Sequence, residues 1–138
     1  MPLGVQGRLN YEAYLVNGLG SGITSSATEG TRLGAGKPNL DDENRHPSGV
    51  ARVTYSPFPS LEVAASGYTG PYNVYENADG ALDKKRWMGI AVLDAVSYQD
   101  WGQLSLEVVH TFIDVAPTLP ADVFAQRQHG LFAEAAIP

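Results

Sequence analysis

The chain has 138 residues, a formal net charge of −6 at pH 7 and no cysteine. Without cysteine there is no disulfide framework, no thiolate zinc site and no cysteine nucleophile. The acidic balance argues against binding to nucleic acid, which needs a basic surface, and a hydrophobic content of 43% is too high for a disordered chain.

Six segments in which apolar and polar residues alternate predict β-strands. The first, RLNYEAYLVN, places Leu9 and Tyr11 on one face and Asn10 and Glu12 on the other. Alternation is weakest in the fourth, where Asp94 marks the polar face, and the last, LFAEAAI, would also suit a helix. The predicted strands span residues 8–17, 50–56, 61–68, 86–98, 103–112 and 130–137.

The connections between these strands alternate between short and long. Residues 57–60 and 99–102 form tight turns, whereas 18–49, 70–85 and 114–129 are long. In a membrane β-barrel the turns on the periplasmic side are short and the outer loops are long. The pattern predicts an all-β fold of antiparallel up-and-down hairpins forming part of a transmembrane β-barrel. A soluble antiparallel sheet with one wet face shares the alternation within strands.

In the barrel interpretation, the polar strand faces line a water-filled lumen and the apolar faces meet lipid. Tyr55, Phe58 and Trp101 lie near the short turns, where an aromatic girdle is expected. The long connection 18–49 is expected to fold inward as a constriction or to cover a neighbour. The charged residues expected to face the lumen are Glu12, Arg52, Glu62, Glu107 and Glu134, with Asp94 as a further candidate.

Three segments resemble the phosphate-selective-type porins of Gram-negative outer membranes. NYEAYLVNGL (residues 10–19) is similar to a strand that leads to a long outer loop in that family. ARVTYSPFPSLEVAASGYTGPYN (51–73) is similar to its recurrent hairpin with a proline-containing turn, and AVLDAVSYQDWGQLSLEVVH (91–110) to the hairpin that follows.

The resemblance implies a protein of the cell outer membrane through which small solutes or ions diffuse passively. It implies contact with the lipid bilayer and lipopolysaccharide, and an assembly that is commonly a homotrimer. It implies neither enzymatic activity nor a cofactor.

The chain departs from that family in three respects, one of which is that an unclosed six-stranded piece leaves two bare edges prone to pairing or aggregation. Six strands are too few, since small membrane barrels begin at eight and porins have sixteen or more. With no leader and no terminal aromatic residue, the sequence predicts a middle fragment whose partner is the rest of the barrel. Anion-selective members would need lysine or arginine in the channel. The carboxylates predicted here would instead favour cations.

Catalytic motifs are weak. Lys37 follows Gly34-Ala35-Gly36, but the glycine spacing is wrong for a phosphate loop and Pro38 replaces its Ser or Thr. The three histidines lack the spacing of a metal site, and solvated histidines are the simpler interpretation. Glu62 and Glu107 could act as the paired carboxylates of a glycoside hydrolase, but lumen-facing groups explain them better.

Asp41, Asp42 and Glu43 form an acidic run that is a weak candidate for holding calcium, or divalent cations shared with lipopolysaccharide phosphates. A solvated acidic loop is the simpler interpretation of these residues.

The alternative to a porin is a soluble β-sandwich or lectin-like ligand-binding module. Its apolar strand faces would pack against each other, and the tyrosines of segment 67–72 would line a ligand site. Sandwich cores favour larger inward residues than the alanines and glycines common here, which disfavours this alternative.

Overall fold

The computed structural model describes residues 7–37 and 46–137, and these residues form an all-β fold without an α-helix. No helix in this part of the chain has the length and apolar character needed to cross a membrane. Two short 3-10 turns occur at Ser21–Thr24 and Leu33–Gly36. The strands are β1 (Arg8–Asn17), β2 (Pro47–Phe58), β3 (Leu61–Pro71), β4 (Glu76–Asn77), β5 (Gly80–Ala81), β6 (Trp87–Gln99), β7 (Gly102–Ile113) and β8 (Arg127–Ala136).

Six long strands form one antiparallel sheet in the order β1-β2-β3-β6-β7-β8, and β4 and β5 form a separate two-stranded ribbon. The sheet follows chain order, so it is the up-and-down meander that the sequence predicts. Each predicted strand corresponds to one long strand, and β1 has the predicted bounds. The helical alternative for the last segment is wrong, because LFAEAA (residues 131–136) lies in β8 and continues its pairing with β7. The ribbon was not predicted.

All short connections lie at one end of the sheet and all long ones at the other. Residues 59–60 and 100–101 form the two tight turns. At the second turn Gly102 has a φ of 149°, which L side chains rarely adopt. A Cβ there would also clash with the carbonyl oxygen of Ala136. Glycine at this turn therefore permits both the tight connection and the pairing of β7 with β8.

A β-bulge in β2 shifts the register of its hairpin with β3. Tyr55 lies opposite Val63, but Phe58 lies opposite Leu61, so β2 has one more residue than β3 between these pairs. Because Leu61 and Val63 share a face, the bulge returns both aromatic rings to that face.

The sheet has one apolar and one polar face. The cross-strand row through the middle of the apolar face consists of Tyr11, Val53, Ala65, Leu93, Val108 and Leu131. The adjacent row, on the polar face, consists of Glu12, Arg52, Ser66, Val92, Val109 and Gly130. A register slip of one residue in any strand would exchange its two faces.

The buried core lies at the long-loop end, where the connections fold over the polar face. Met88 and Ile90 of β6 belong to the polar face by register, but loop residues cover them. This explains why alternation in the fourth predicted strand is weak: both of its faces are apolar at this end. The buried cluster comprises Ile23, Tyr72, Met88, Ile113, Val115 and Phe124.

The described part of the β1–β2 loop, residues 18–37, crosses the end of the sheet. The Thr31 hydroxyl donates to the carbonyl oxygen of Ala125 at 3.3 Å, and the Gln128 amide donates to the carbonyl oxygen of Thr31 at 3.0 Å. Gln128 belongs to β8, and β1 and β8 are opposite edges of the sheet. The loop therefore starts at one edge and is hydrogen-bonded at the other, on the side of the polar face.

Candidate functional site

The polar face carries nearly all the charge of the six long strands. The five predicted residues lie on this face together, and Asp94 and Arg8 join them. Five carboxylates thus stand against two guanidinium groups, leaving three negative charges without a counter-charge on the face. The residues are Arg8, Glu12, Arg52, Glu62, Asp94, Glu107 and Glu134.

An ion pair spans three strands at the centre of this face. Arg52 on β2 donates to both carboxylate oxygens of Asp94 on β6, each at 2.9 Å. It also donates to the Ser66 hydroxyl at 2.8 Å, on the intervening β3. A bidentate guanidinium–carboxylate pair has one preferred geometry, so it fixes both side chains. Sequence patterning identified both residues but not their contact, which depends on the register of three strands.

The ion pair neutralises the charge of Asp94 but not the charges of the neighbouring carboxylates. Glu12 lies opposite Arg52 on β1, and Glu107 lies opposite Asp94 on β7. These charged side chains therefore form a diagonal line across the sheet, with carboxylates at both ends. Glu62 and Glu134 lie nearer the short-turn end of the same face.

A polar depression on this face has a volume of about 560 Å³ and lies between β1, β2 and β3. It is open to solvent, and both charge signs meet in it. The arrangement suits transient contact with hydrated ions or small polar solutes rather than enclosure of one ligand. Its lining includes Arg8, Asn10, Glu12, Arg52, Thr54 and Glu62.

Glu62 and Glu107 are on the same face of the sheet but are not direct cross-strand neighbours. They lie on β3 and β7, with β6 between them. Strands are about 4.8 Å apart, and the two residues also differ in level, since Glu62 pairs with Val96 and Glu107 with Asp94.

The apolar face is uncovered. Leu93 is 63% exposed although it lies in the middle of β6, a central strand. Leu15 and Leu131, on the edge strands, are 81% and 73% exposed. Along the six long strands this face carries no carboxylate or lysine, and its one arginine, Arg127, lies at the long-loop end of β8. A face exposed to water normally carries charge, and this face carries almost none along the long strands.

Aromatic side chains lie at both ends of the apolar face. Tyr55, Phe58 and Trp101 are about half exposed at the short-turn end. Trp87 and Phe112 are about half exposed at the long-loop end, on the same face by register. The sequence prediction included only the first group, because the opposite end was defined by long loops and not by a turn.

Arg86, just before β6, joins the long connections. Its side chain is buried and donates to the carboxylates of Asp83 and Asp114 and to the carbonyl oxygen of Val115. Its hydrogen bond and charge hold the pKa of Asp83 below the usual value. Asn73 completes the cluster by accepting from the Arg86 backbone N–H at 2.8 Å. The sequence pattern did not predict this cluster, because its residues come from two different loops.

Tyr72 is 1% exposed, and its hydroxyl donates to the carbonyl oxygen of Asp114 at 2.9 Å. Burial raises its pKa from about 10 to about 12, because a phenolate would lose its hydration there. Tyr68 also lies beneath a loop and hydrogen-bonds to Leu19 and Ser48. The lectin-like alternative placed Tyr72 in a ligand site. That prediction is wrong for Tyr72, because its side chain is buried beneath the loops.

Stability should consequently fall in strong alkali. The folded state holds the Tyr72 proton more tightly than the unfolded state, so its contribution is complete below pH 10 and lost as the pH rises through about 12. We expect up to about 2–3 kcal/mol of the unfolding free energy to disappear in this window. Urea unfolding across it measures the loss. Tyr72→Phe should remove this step, whereas the exposed Tyr98→Phe should retain it; an unchanged step in Tyr72→Phe would refute the assignment.

The predicted acidic run Asp41, Asp42 and Glu43 lies outside the described residues. Within residues 7–37 and 46–137, no group of three or more potential ligands among His, Asp and Glu comes together to hold a metal ion. His46 hydrogen-bonds to the Tyr75 hydroxyl. His110 and His129, which are 19 residues apart in the chain, face each other on β7 and β8.

Comparison of the chain with protein-family models, with curated proteins and with solved structures gave no match.

Proposed function

We propose that this chain is a wall segment of an outer-membrane pore of the porin type, through which small solutes or ions diffuse passively. The observation that carries the proposal is the apolar face: broad, uncovered and almost free of charge, opposite a face that carries seven charged residues. Lipid on one side and water on the other is the environment that such a two-faced sheet matches.

Strand length supports the proposal. The six long strands have 10 to 13 residues. At about 3.3 Å per residue and a tilt of about 40°, such strands rise about 25–33 Å, close to the thickness of the hydrocarbon layer. The aromatic residues at both ends of the apolar face then fall at the two interfaces.

The polar face gives the expected selectivity. With Arg52 engaged by Asp94, the remaining carboxylates dominate the field along the wall. Carboxylates lining a water-filled pore attract cations and raise their local concentration, so we propose a preference for cations. The β1–β2 loop lies on the polar side at the long-loop end, where it would narrow the pore.

The free edges of the sheet indicate what the segment lacks. Within the described residues, β1 and β8 each pair with one neighbour. In a membrane, unpaired backbone groups are costly, so the proposal requires further strands of a barrel at both edges. The wider assembly, which the porin resemblance implies is a homotrimer in contact with lipopolysaccharide, belongs to the same proposal.

The proposal is tested by finding the medium in which the chain folds. The full chain is diluted from urea into buffer, detergent micelles or phosphatidylcholine vesicles, and β-structure and particle size are measured. We expect aggregation in buffer and stable β-structure with micelles or vesicles. A monodisperse monomer in buffer that melts cooperatively would overturn the proposal and favour a soluble module.

A further inference from the structure

We infer that His110 and His129 form a two-histidine site for a nitrogen-preferring divalent metal ion such as Zn²⁺. The inference rests on the register of β7 and β8 and not on the proposed pore. The two residues are directly opposite each other in that register. Their Nδ1 atoms are 3.1 Å apart, and their ring centroids are 4.7 Å apart.

This separation fits two ligands of one metal ion. Zn–N bonds are about 2.0–2.1 Å long. Two nitrogens bound at the tetrahedral angle would therefore be about 3.3 Å apart, and at a right angle about 2.9 Å apart. The observed distance of 3.1 Å lies between these values. The two Nδ1 atoms now share a hydrogen bond, so metal binding would displace its proton and rotate both rings toward one ion without moving the strands apart.

Both imidazoles are accessible. His110 and His129 are exposed, and they lie on the apolar face between Phe112 and Arg127 on one side and Val108 and Leu131 on the other. Because the pair lies beside Phe112 and Arg127, toward the long-loop end of the face, an ion and its water ligands can approach from that end.

The surroundings set the selectivity. The apolar face of the long strands carries no carboxylate, so Ca²⁺ and Mg²⁺, which require oxygen ligands, find none there. Imidazole suits zinc, copper and nickel. Arg127, two residues from His129, adds positive charge and limits the affinity. The expected site is therefore a weak, selective one that binds Zn²⁺ and ignores Mg²⁺.

Binding should also affect the sheet. His129 belongs to β8, an edge strand, and His110 to its neighbour β7. An ion bound to both residues would cross-link the edge strand to its neighbour. Because the unfolded chain keeps the two histidines apart, the ion binds the folded state preferentially and raises its stability.

The test is titration of the full chain with zinc chloride in chelator-free detergent micelles, by calorimetry and by NMR of the histidine rings. We expect one ion per chain, with the resonances of His110 and His129 shifting together. His110→Gln and His129→Gln should each weaken binding about tenfold or more. His46→Gln is the matched control, because it removes the third histidine and should leave the affinity unchanged.

Magnesium chloride should give no heat of binding, and zinc should raise the urea midpoint of the wild type but of neither paired-histidine variant. The inference is overturned if the ring resonances of His110 and His129 do not move, if the two variants bind zinc as the wild type does, or if no binding occurs up to about 1 mM zinc. The wild-type resonances decide the matter even where a variant fails to fold.

Discussion

Val108→Lys is expected to cost about 2–4 kcal/mol of the unfolding free energy of the chain in lipid vesicles. Val108 lies in the central row of the apolar face, in the middle of β7. If this face meets lipid, a lysine there must enter the hydrocarbon or bend toward the interface, and both are costly. Urea unfolding in phosphatidylcholine vesicles measures the effect.

The matched control is Val109→Lys, which makes the same substitution one residue further along the same strand. Val109 lies on the polar face, opposite Val92 and Gly130, where a lysine would face water near Glu107. We expect a change within about 0.5 kcal/mol. Equal effects of the two substitutions would contradict lipid contact at Val108, because a face in water tolerates lysine at a half-exposed position.

Arg86→Met should destabilise the chain by about 2 kcal/mol. Methionine retains most of the volume of the side chain but none of the donors that satisfy Asp83, Asp114 and the carbonyl oxygen of Val115. The loss is costly because the buried carbonyl oxygen of Val115 is left without its donor and the partly exposed carboxylates of Asp83 and Asp114 lose their counter-charge. Thermal or urea unfolding measures the effect, and hydrogen exchange should show it first in loops 72–86 and 114–126.

Lys84→Ala is the control for Arg86. Lys84 also pairs with Asp114, at 3.2 Å, but its side chain is 66% exposed. An exposed ion pair contributes about 1 kcal/mol or less. A similar loss of stability in both variants would show that the charge of Asp114, and not the buried network of Arg86, holds these loops together.

Local patterning predicted the sheet well because strand faces alternate strictly with residue number. The positions of Glu12, Arg52, Glu62, Glu107 and Glu134 on one face follow from parity within each strand and from hairpins that fix the register. Short turns at 59–60 and 100–101 bring neighbouring strands together, and the one register shift there is the bulge in β2 beside the first turn. The same reasoning fails for Met88, whose face is covered by residues distant in the chain.

What patterning could not predict depends on contacts across several strands. The Arg52–Asp94 pair spans three strands and the Arg86 cluster joins two loops. The opposition of His110 and His129 needs the β7–β8 register, which a connection of 13 residues does not reveal. Whether the apolar face meets lipid depends on what surrounds the sheet. The alternation of residues in the sequence does not identify that medium.

The bridge made by the β1–β2 loop has a consequence for folding. Neighbouring strands of the sheet are close in sequence, so their hairpins can form early with little loss of loop entropy. The hydrogen bond between Gln128 and Thr31 joins residues 97 positions apart. That contact requires all six long strands to be in place, so we expect it to form last. Gln128→Ala, which removes the donor, should accelerate unfolding while leaving the rate of sheet formation unchanged.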